Sequence, residues 1–582
     1  MRPPSPIFVL AATLAILGLP LQYAHASTYR VDCTAEESTS SHSAPTGATL
    51  RSIDQVNALE LKPGDTLSFR RGTVCHGALH PLGSGGANRV ITISAYGEGP
   101  LPRIEAAPSD TAALTLFNQS GWSIDSIDLR GGTTYGVFIS AAKGRMEHIN
   151  LRNLTVSGVR GPLRSKDSGL VVIKPSSPEA TLTDVHVQGV RAFGTTQWAG
   201  IFVAGGSLTN PATNVSVDSS SVHDVQGDGI VIFNATDAAI RNSAAWHTGM
   251  QHAQTLGTPN AIWTWQCNRC IVENNEAFLT DSPGVDGGAF DIDWGNTANQ
   301  VLRNFGHDTQ GYCVSVFAAE GPTTASTVDG NLCLANGLSP RLAQRQGAIL
   351  LMTWNGGVID GLHITGNRVD WRAGGNTPVI QSGSKLSATD IVIDDNELHT
   401  TGTALVDSVL AYTGAGNHYL LSGASLSEVE ATRQAITASG HQATIAAEPL
   451  VSTFTPPSAS AKGWRLVATT PNNEPAALDR LFVLLETASL EYGHAGLQIT
   501  FSGSESQLQA AQDWGLPQDG VQIAPLPPHH GRFALELIAP NGKPVATWEG
   551  AASVIDFGLA LRSALGEPIY GRLPIEQVKA TD

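Results

Sequence analysis

The tetrapeptide Phe290-Asp291-Ile292-Asp293 has the clearest chemical content in the chain. Side chains alternate across a strand, so Phe290 and Ile292 can enter a core while both carboxyls stand together on the opposite face. Neighbouring outward acids repel each other and have no packing role. As a pair they can serve as proton donor and proton acceptor, the chemistry required at a glycosidic oxygen. Positions two apart on a strand are separated by about 6.5–7 Å. That is near the ~6.5–9.5 Å carboxyl separation of inverting glycosidases and above the roughly 5–5.5 Å of retaining ones, a mild preference for inversion. Asp286, in the turn before this strand, would raise the pKa of a neighbouring acid by like-charge repulsion. His307-Asp308, in the turn before the next strand group, is expected at the same end of the groove. The expected catalytic set is therefore Asp291, Asp293, Asp286, His307 and Asp308.

Aligning neighbouring segments by their apolar positions brings Trp263 and Trp265 beside the acids on one side, with Ser315 and Phe317 on the other. Aromatic faces pack against the apolar faces of sugar rings. Trp263 and Trp265 are thus expected to contact substrate, with Trp246, His247, Gln266, Trp294 and Glu320 as weaker candidates. A cluster of Asp, Glu and Asn leaves room for Ca²⁺, which takes oxygen donors, but no spaced calcium loop is present and the acid–base chemistry requires no cofactor.

The elements that hold these residues recur. Short β-type segments, each led by a small or polar residue, begin at Tyr135, Ser168, Ala199, Asp228, Asn260, Gly288, Tyr312 and Gly347. Their spacings of 33, 31, 29, 32, 28, 24 and 35 residues each accommodate three short strands with turns, one coil of a solenoid. In the same frame Asn242, Asn275, Asn304, Asn331, Asn367 and Asn396 each follow a strand-like run. Asn tolerates left-handed bends, and stacked coils would align these amides as an internal ladder.

The segment Leu61-Lys-Pro-Gly-Asp-Thr-Leu-Ser-Phe-Arg-Arg-Gly, then Gly83-Ser-Gly-Gly and Ile91-Thr-Ile-Ser-Ala-Tyr-Gly, resembles the N-terminal cap of the pectate-lyase-like right-handed parallel β-helix superfamily. Asp286-Gly-Gly-Ala-Phe-Asp-Ile-Asp, with Asn304 and Gly306-His-Asp downstream, resembles a carbohydrate-active branch of it. The resemblance spans roughly residues 45–450 and implies an all-β, pectin-lyase-like solenoid. It is less specific for activity, because the superfamily holds lyases, hydrolases, esterases, epimerases and non-catalytic members.

The expected organisation is a signal peptide at 1–26, an N-terminal cap and first coils at 27–112, a single-stranded right-handed parallel β-helix at 113–450, a linker at 451–462 and a small α+β domain at 463–582. The last mixes helical patterns at Ala476–Leu490 and Ala551–Leu565 with a strand at Arg532–Ile538 and a turn at Asn541-Gly542, and is faintly similar to thioredoxin-like folds. No cysteine follows Cys333, so dithiol chemistry is excluded there. Arg2, the apolar run Ile7–Leu21 and Ala24-His25-Ala26 follow the order of an export signal, and the run is shorter than the roughly 20 residues of a membrane span. A secreted or periplasmic protein without membrane insertion is expected, and a monomer.

Six cysteines in an exported chain point to disulfides, expected as Cys33–Cys75, Cys267–Cys270 and Cys313–Cys333. The net charge of −17 argues against nucleic acid as a partner and leaves a polysaccharide or oligosaccharide as the expected substrate. A glycoside hydrolase is the leading expectation. A polysaccharide lyase must neutralise a uronate and remove a proton, and no lysine lies between Lys174 and Lys385 to do so. A non-catalytic glycan-binding surface protein is the third reading.

Overall fold

The computed structural model describes residues 26–34, 49–250, 256–371, 377–383, 385–402, 404–448, 461–470, 475–516, 521–525, 534–549 and 552–565. The expected export signal, apart from Ala26, and most of the expected linker lie outside the described residues.

The repeats fold as coils of a parallel β-helix. Each central coil carries three strands, as in Ile262–Asn268, Ile271–Glu273 and Glu276–Phe278, followed one coil on by Phe290–Ile292, Gln300–Leu302 and Phe305–His307. The third strands form a 14-stranded sheet. The first and second run together as a 23-stranded sheet, because strands such as Ile230–Arg241 turn the corner unbroken, with Asn234 and Asp237 at positive φ. Register is set by the core. Ile262, Phe290, Val314, Ile349 and Ile380 pair in sequence and are all inaccessible to solvent. A slip of one residue would expose this whole apolar row.

The amide ladder is present with a shifted beginning. Asn275, Asn304, Asn331, Asn367, Asn396 and Asn417 are buried, and each Oδ1 from Asn304 onward accepts the backbone N–H of the preceding member at 2.9–3.0 Å. Asn242 is not a rung. It occupies the left-handed position at the bend, φ 53°, and Ser243 takes the ladder site, its N–H bonded to Asn275. Left-handed geometry belongs to the residue before each rung, such as Asn274 and Arg303. All three disulfides have the expected pairing, with Cα separations of 5.3, 5.9 and 5.8 Å.

The core is closed at one end by helix Ile53–Asn57, capped by Ser52, and at the other by Leu426–Ala438, which starts in a Ser425/Glu428 capping box. The C-terminal domain is a five-stranded sheet in the order 521–525, 498–503, 465–469, 534–538, 544–549, its first three strands parallel and its last two antiparallel. Helices Pro475–Tyr492, Glu505–Trp514 and Val554–Leu565 accompany it. The domain sits on the outer face of the 14-stranded sheet, where Trp246, Phe278, Phe305 and Leu332 share an apolar cluster with Phe482, Phe557 and Leu561. Beneath it Phe193, His223, Trp246, Phe278 and His307 stack ring on ring, one per coil. Among the described residues no helix is long and apolar enough to cross a membrane.

Candidate active site

Phe290 and Ile292 enter the core, so Asp291 faces outward from the 23-stranded sheet. Its strand neighbours are Trp263 on the coil before and Ser315 on the coil after, as the apolar alignment requires. Asp293 follows the strand end, its N–H bonded to Thr264 O at 3.1 Å and its Oδ1 accepting from Trp294 N at 2.8 Å.

The residues that lead each repeat complete the site. Asn260 Nδ2 donates to Asp291 Oδ2 at 3.1 Å, and Asn260 Oδ1 accepts from Gly288 N and from the Tyr312 hydroxyl, both at 2.9 Å. Tyr312 OH is also 3.3 Å from Asp286 Oδ1, whose other oxygen accepts from Thr258. Tyr312 reaches back across a whole coil to Asn260 because Gly288 lies between them. A Cβ there would sit 2.0 Å from the tyrosine ring. Asp228, one coil further back, accepts from Asn260 N and Trp263 Nε1 at 3.1 Å and from Trp198 Nε1.

This enclosure sets the protonation states. Burial lifts Asp291 well above the carboxylate range, and the charges of Asp293, Asp286 and Asp228 add to it, against the stabilising influence of Ser315. Asp291 Oδ1 and Ser315 Oγ are buried and make no regular hydrogen bond among the described residues. Asp286 and Asp293 keep some accessible surface, yet their carboxyls are crowded by protein, which raises them to about 6 and about 7. Burial also raises Asp228. The Lys166 ammonium, 5.1 Å from the centre of the Trp198 ring, pulls Asp228, Asp286 and Asp293 the other way. Although the central coils contain no lysine, one reaches the site from an earlier loop.

Apolar surface flanks the acids on both sides. Before them lie Phe138, Phe202, Phe233, Trp263 and Trp265, and after them Phe317, Leu350, Met352 and Trp354. Trp263 is buried beneath Phe233, their ring centres 4.8 Å apart, and donates to Asp228, so it is part of the platform's foundation. Trp265 is half-buried and meets Trp294 edge-on at 5.0 Å, and Gln266 borders the same turn. Glu320 is exposed beyond the end of strand Val314–Ala319.

Four expected members lie elsewhere. His307 is the last residue of a strand in the 14-stranded sheet, so it and Asp308 face the C-terminal domain, where Arg562 bonds Asp308 Oδ2 at 2.6 Å. Burial opposes the His307 charge, but Glu491, Asp308 and Glu276 outweigh it and lift the ring to about 9. Trp246 is sandwiched in the ring stack, and His247 pairs with Asp224 at 3.2 Å. Each of the four lies at or just past the end of a third strand, beyond a corner that the sequence does not mark. Conversely, Asp228, Asn260 and Tyr312 were legible as repeat leaders but not as site members, while Trp198 and Lys166 left no signal.

Among the described residues, Glu276, His307 and Glu491 alone bring three His, Cys, Asp or Glu ligand atoms within 4.8 Å of one another. The aspartates around Asp291 do not converge that closely. A cavity of about 430 Å³ between the two domains is lined by Arg71, Arg191 and Asp513, whose charges are already paired as Arg71–Asp513 and Arg191–Glu486.

Residues 168–369 match the family model described as right handed beta helix region. No curated protein matches the sequence. Among solved structures, the chain is similar to the native GH136 lacto-N-biosidase from Eubacterium ramulus, at 19% identity and a TM-score of 0.48 over 65% of this chain and 68% of that one. It is also similar to an alginate lyase from Paenibacillus sp. str. FPU-7, at 13% identity and 0.28 over 58% and 95%, and to a rhamnogalacturonan lyase, at 12% and 0.32 over 67% and 87%. With its coil architecture, the matched segment identifies the main body as a right-handed parallel β-helix.

Proposed function

We propose that this protein is an exported glycoside hydrolase that cleaves a polysaccharide across the outer face of its β-helix. The observation that carries the reading is the placement of Asp291 and Asp293 at one outer strand end, between two aromatic surfaces, with both carboxyls raised by burial and by neighbouring acids. Asp291, whose protonated form is favoured by burial and by the neighbouring acids, acts as general acid at the glycosidic oxygen. Asp293, ionised as pH rises past about 7, draws a proton from the attacking water. Asp286 holds negative charge near the pair and thereby keeps the proton on Asp291. Trp265 and Trp294 supply a face for a sugar ring.

One observation favours a second reading. Lys166 and the Tyr312 hydroxyl bring a cation and a phenol to the acids, groups with which a lyase could neutralise a uronate and remove the adjacent proton. A polysaccharide panel read in parallel for reducing ends and for the absorbance of unsaturated products separates the two. Reducing ends without unsaturation are expected. Unsaturated products would transfer the site to elimination, and neither signal on a bound glycan would reduce it to a binding surface.

A further inference from the structure

Glu276, His307 and Glu491 come from three separate elements: two successive strands of the 14-stranded sheet, Glu276–Phe278 and Phe305–His307, and helix Pro475–Tyr492 of the C-terminal domain. They are 4%, 0% and 3% exposed, sealed where the domain meets the coils. His307 Nε2 lies 3.2 Å from Glu276 Oε1 and 3.3 Å from Glu491 Oε1. On the other side of the ring, His307 Nδ1 is 2.8 Å from Asp308 Oδ2 and 2.8 Å from the Arg562 guanidinium, which also donates to Asp308 Oδ2 at 2.6 Å.

We propose that these three residues form a binding site for a divalent transition-metal ion, zinc foremost, that fastens the C-terminal domain to the β-helix. An ion that displaces the Nε2 proton would leave Nδ1–H directed at Asp308 and the Nε2 lone pair facing two carboxylate oxygens, three donor atoms around one point. A tetrahedral zinc site with bonds of about 2.0–2.2 Å has ligand atoms separated by roughly 3.3–3.6 Å, close to the two spacings at Nε2. The Asp308–His307 pair is the carboxylate–histidine support that orients and strengthens an imidazole ligand. Glu276 Oε2 is buried without a regular hydrogen bond, an expensive arrangement for a carboxylate unless a cation meets it.

Charge points the same way. Three buried carboxylates, Glu276, Asp308 and Glu491, face one guanidinium, Arg562, so a doubly charged ion that displaces the extra proton of His307 leaves the pocket balanced. Glu491 also sits in the last turn of its helix, where the backbone dipole disfavours a carboxylate and favours a cation beside it. Imidazole with carboxylates suits zinc and its first-row neighbours, whereas an all-oxygen cage would suit calcium. The ion would be structural and separate from the acids proposed to cleave glycan, since those lie on the other sheet.

The test uses the full exported chain, stripped with a chelator and titrated with zinc against a chromophoric competitor. One zinc per chain is expected, with binding weakened at least about tenfold in Glu276→Gln and Glu491→Gln. Zinc should raise the melting temperature of the wild type and not of the variants. Stripped wild type that binds zinc no better than the variants, or not at all, overturns the site and leaves His307 as an imidazolium between two glutamates. Should either variant fail to fold, zinc-edge X-ray absorption of the loaded wild type decides. One imidazole among oxygen neighbours supports the site, and several imidazoles or no bound zinc overturns it.

Discussion

Asn260 fixes which oxygen of Asp291 carries the proton. Its amide oxygen is taken by two donors, Gly288 N–H and the Tyr312 hydroxyl, so its nitrogen must face Asp291 Oδ2, 3.1 Å away. Oδ2 accepts in either protonation state, which leaves the proton to Oδ1, the oxygen with no regular hydrogen bond. The proton on Oδ1 is thus held by no regular hydrogen bond, on a buried atom beneath the outer face.

Replacing Asp291 or Asp293 by Asn should therefore lower turnover by at least about a hundredfold, the lower end of acid–base contributions. Asn is close in shape to the protonated acid, so thermal stability should stay within about 1 kcal/mol. Steady-state kinetics on a cleaved polysaccharide, with melting curves of the same preparations, check both halves. Full turnover in both variants would remove the pair from the chemistry.

The two tryptophans beside the acids should behave differently. Trp263 is buried, packs on Phe233 and donates to Asp228, so Trp263→Ala should cost about 3–5 kcal/mol of stability. Trp265 is half-buried beside Trp294, and Trp265→Ala should raise KM with a smaller stability loss. Denaturant unfolding and oligosaccharide affinity, measured side by side, separate foundation from platform. Equal stability losses would assign both rings to packing.

What the sequence disclosed and what it hid follow from the geometry of a coil. Alternation along Phe290–Asp293 and the matching apolar rows place Trp263, Asp291 and Ser315 in register, because a strand's period is local. His307 and Asp308 belong to the same coil, yet the corner after strand Gln300–Leu302 turns them to a different sheet. Corners are short and carry left-handed residues of several types, here Arg303 and Asp308, so composition does not mark them. Lys166 was hidden for the opposite reason. It belongs to an earlier coil and reaches the site through space, a relation that no spacing encodes. Asn242 shows a one-residue version of the same difficulty, since the bend and the rung beside it both accept Asn.

That distinction has an energetic consequence. Asn331 Oδ1 accepts from Asn304 N and Nδ2, and its own Nδ2 donates to Val301 O and Asn367. Asn331→Ala would leave several buried groups unpaired, at about 1–3 kcal/mol each before relaxation. Asn242 is part-exposed, occupies the left-handed bend and bonds Asn274 and Arg480, so Asn242→Ala should cost less, about 1–2 kcal/mol, chiefly through the left-handed backbone. Urea titrations of both variants test the assignment, and equal losses would contradict it.

The last prediction concerns pH and Lys166. Asp286 and Asp293 titrate near about 6 and about 7 in the folded protein, above the roughly 3.9 of an unfolded aspartate. Carboxyls raised in this way bind more protons folded than unfolded, so their stabilising contribution is present below about pH 4 and is lost as pH rises through 6 to 7. Activity should run oppositely over that range, increasing as the base ionises and falling at higher pH once Asp291 loses its proton. Lys166 favours the ionised forms of Asp286 and Asp293, so Lys166→Met should raise both and move the acidic limb of the activity profile to higher pH. Lys166→Arg, which keeps the charge, should restore the limb. A profile unchanged in Lys166→Met, with normal turnover at its optimum, would show that the ammonium does not act on the acids. A collapse of turnover at every pH in Lys166→Met, with uronate-bearing substrates alone affected, would assign Lys166 to substrate neutralisation.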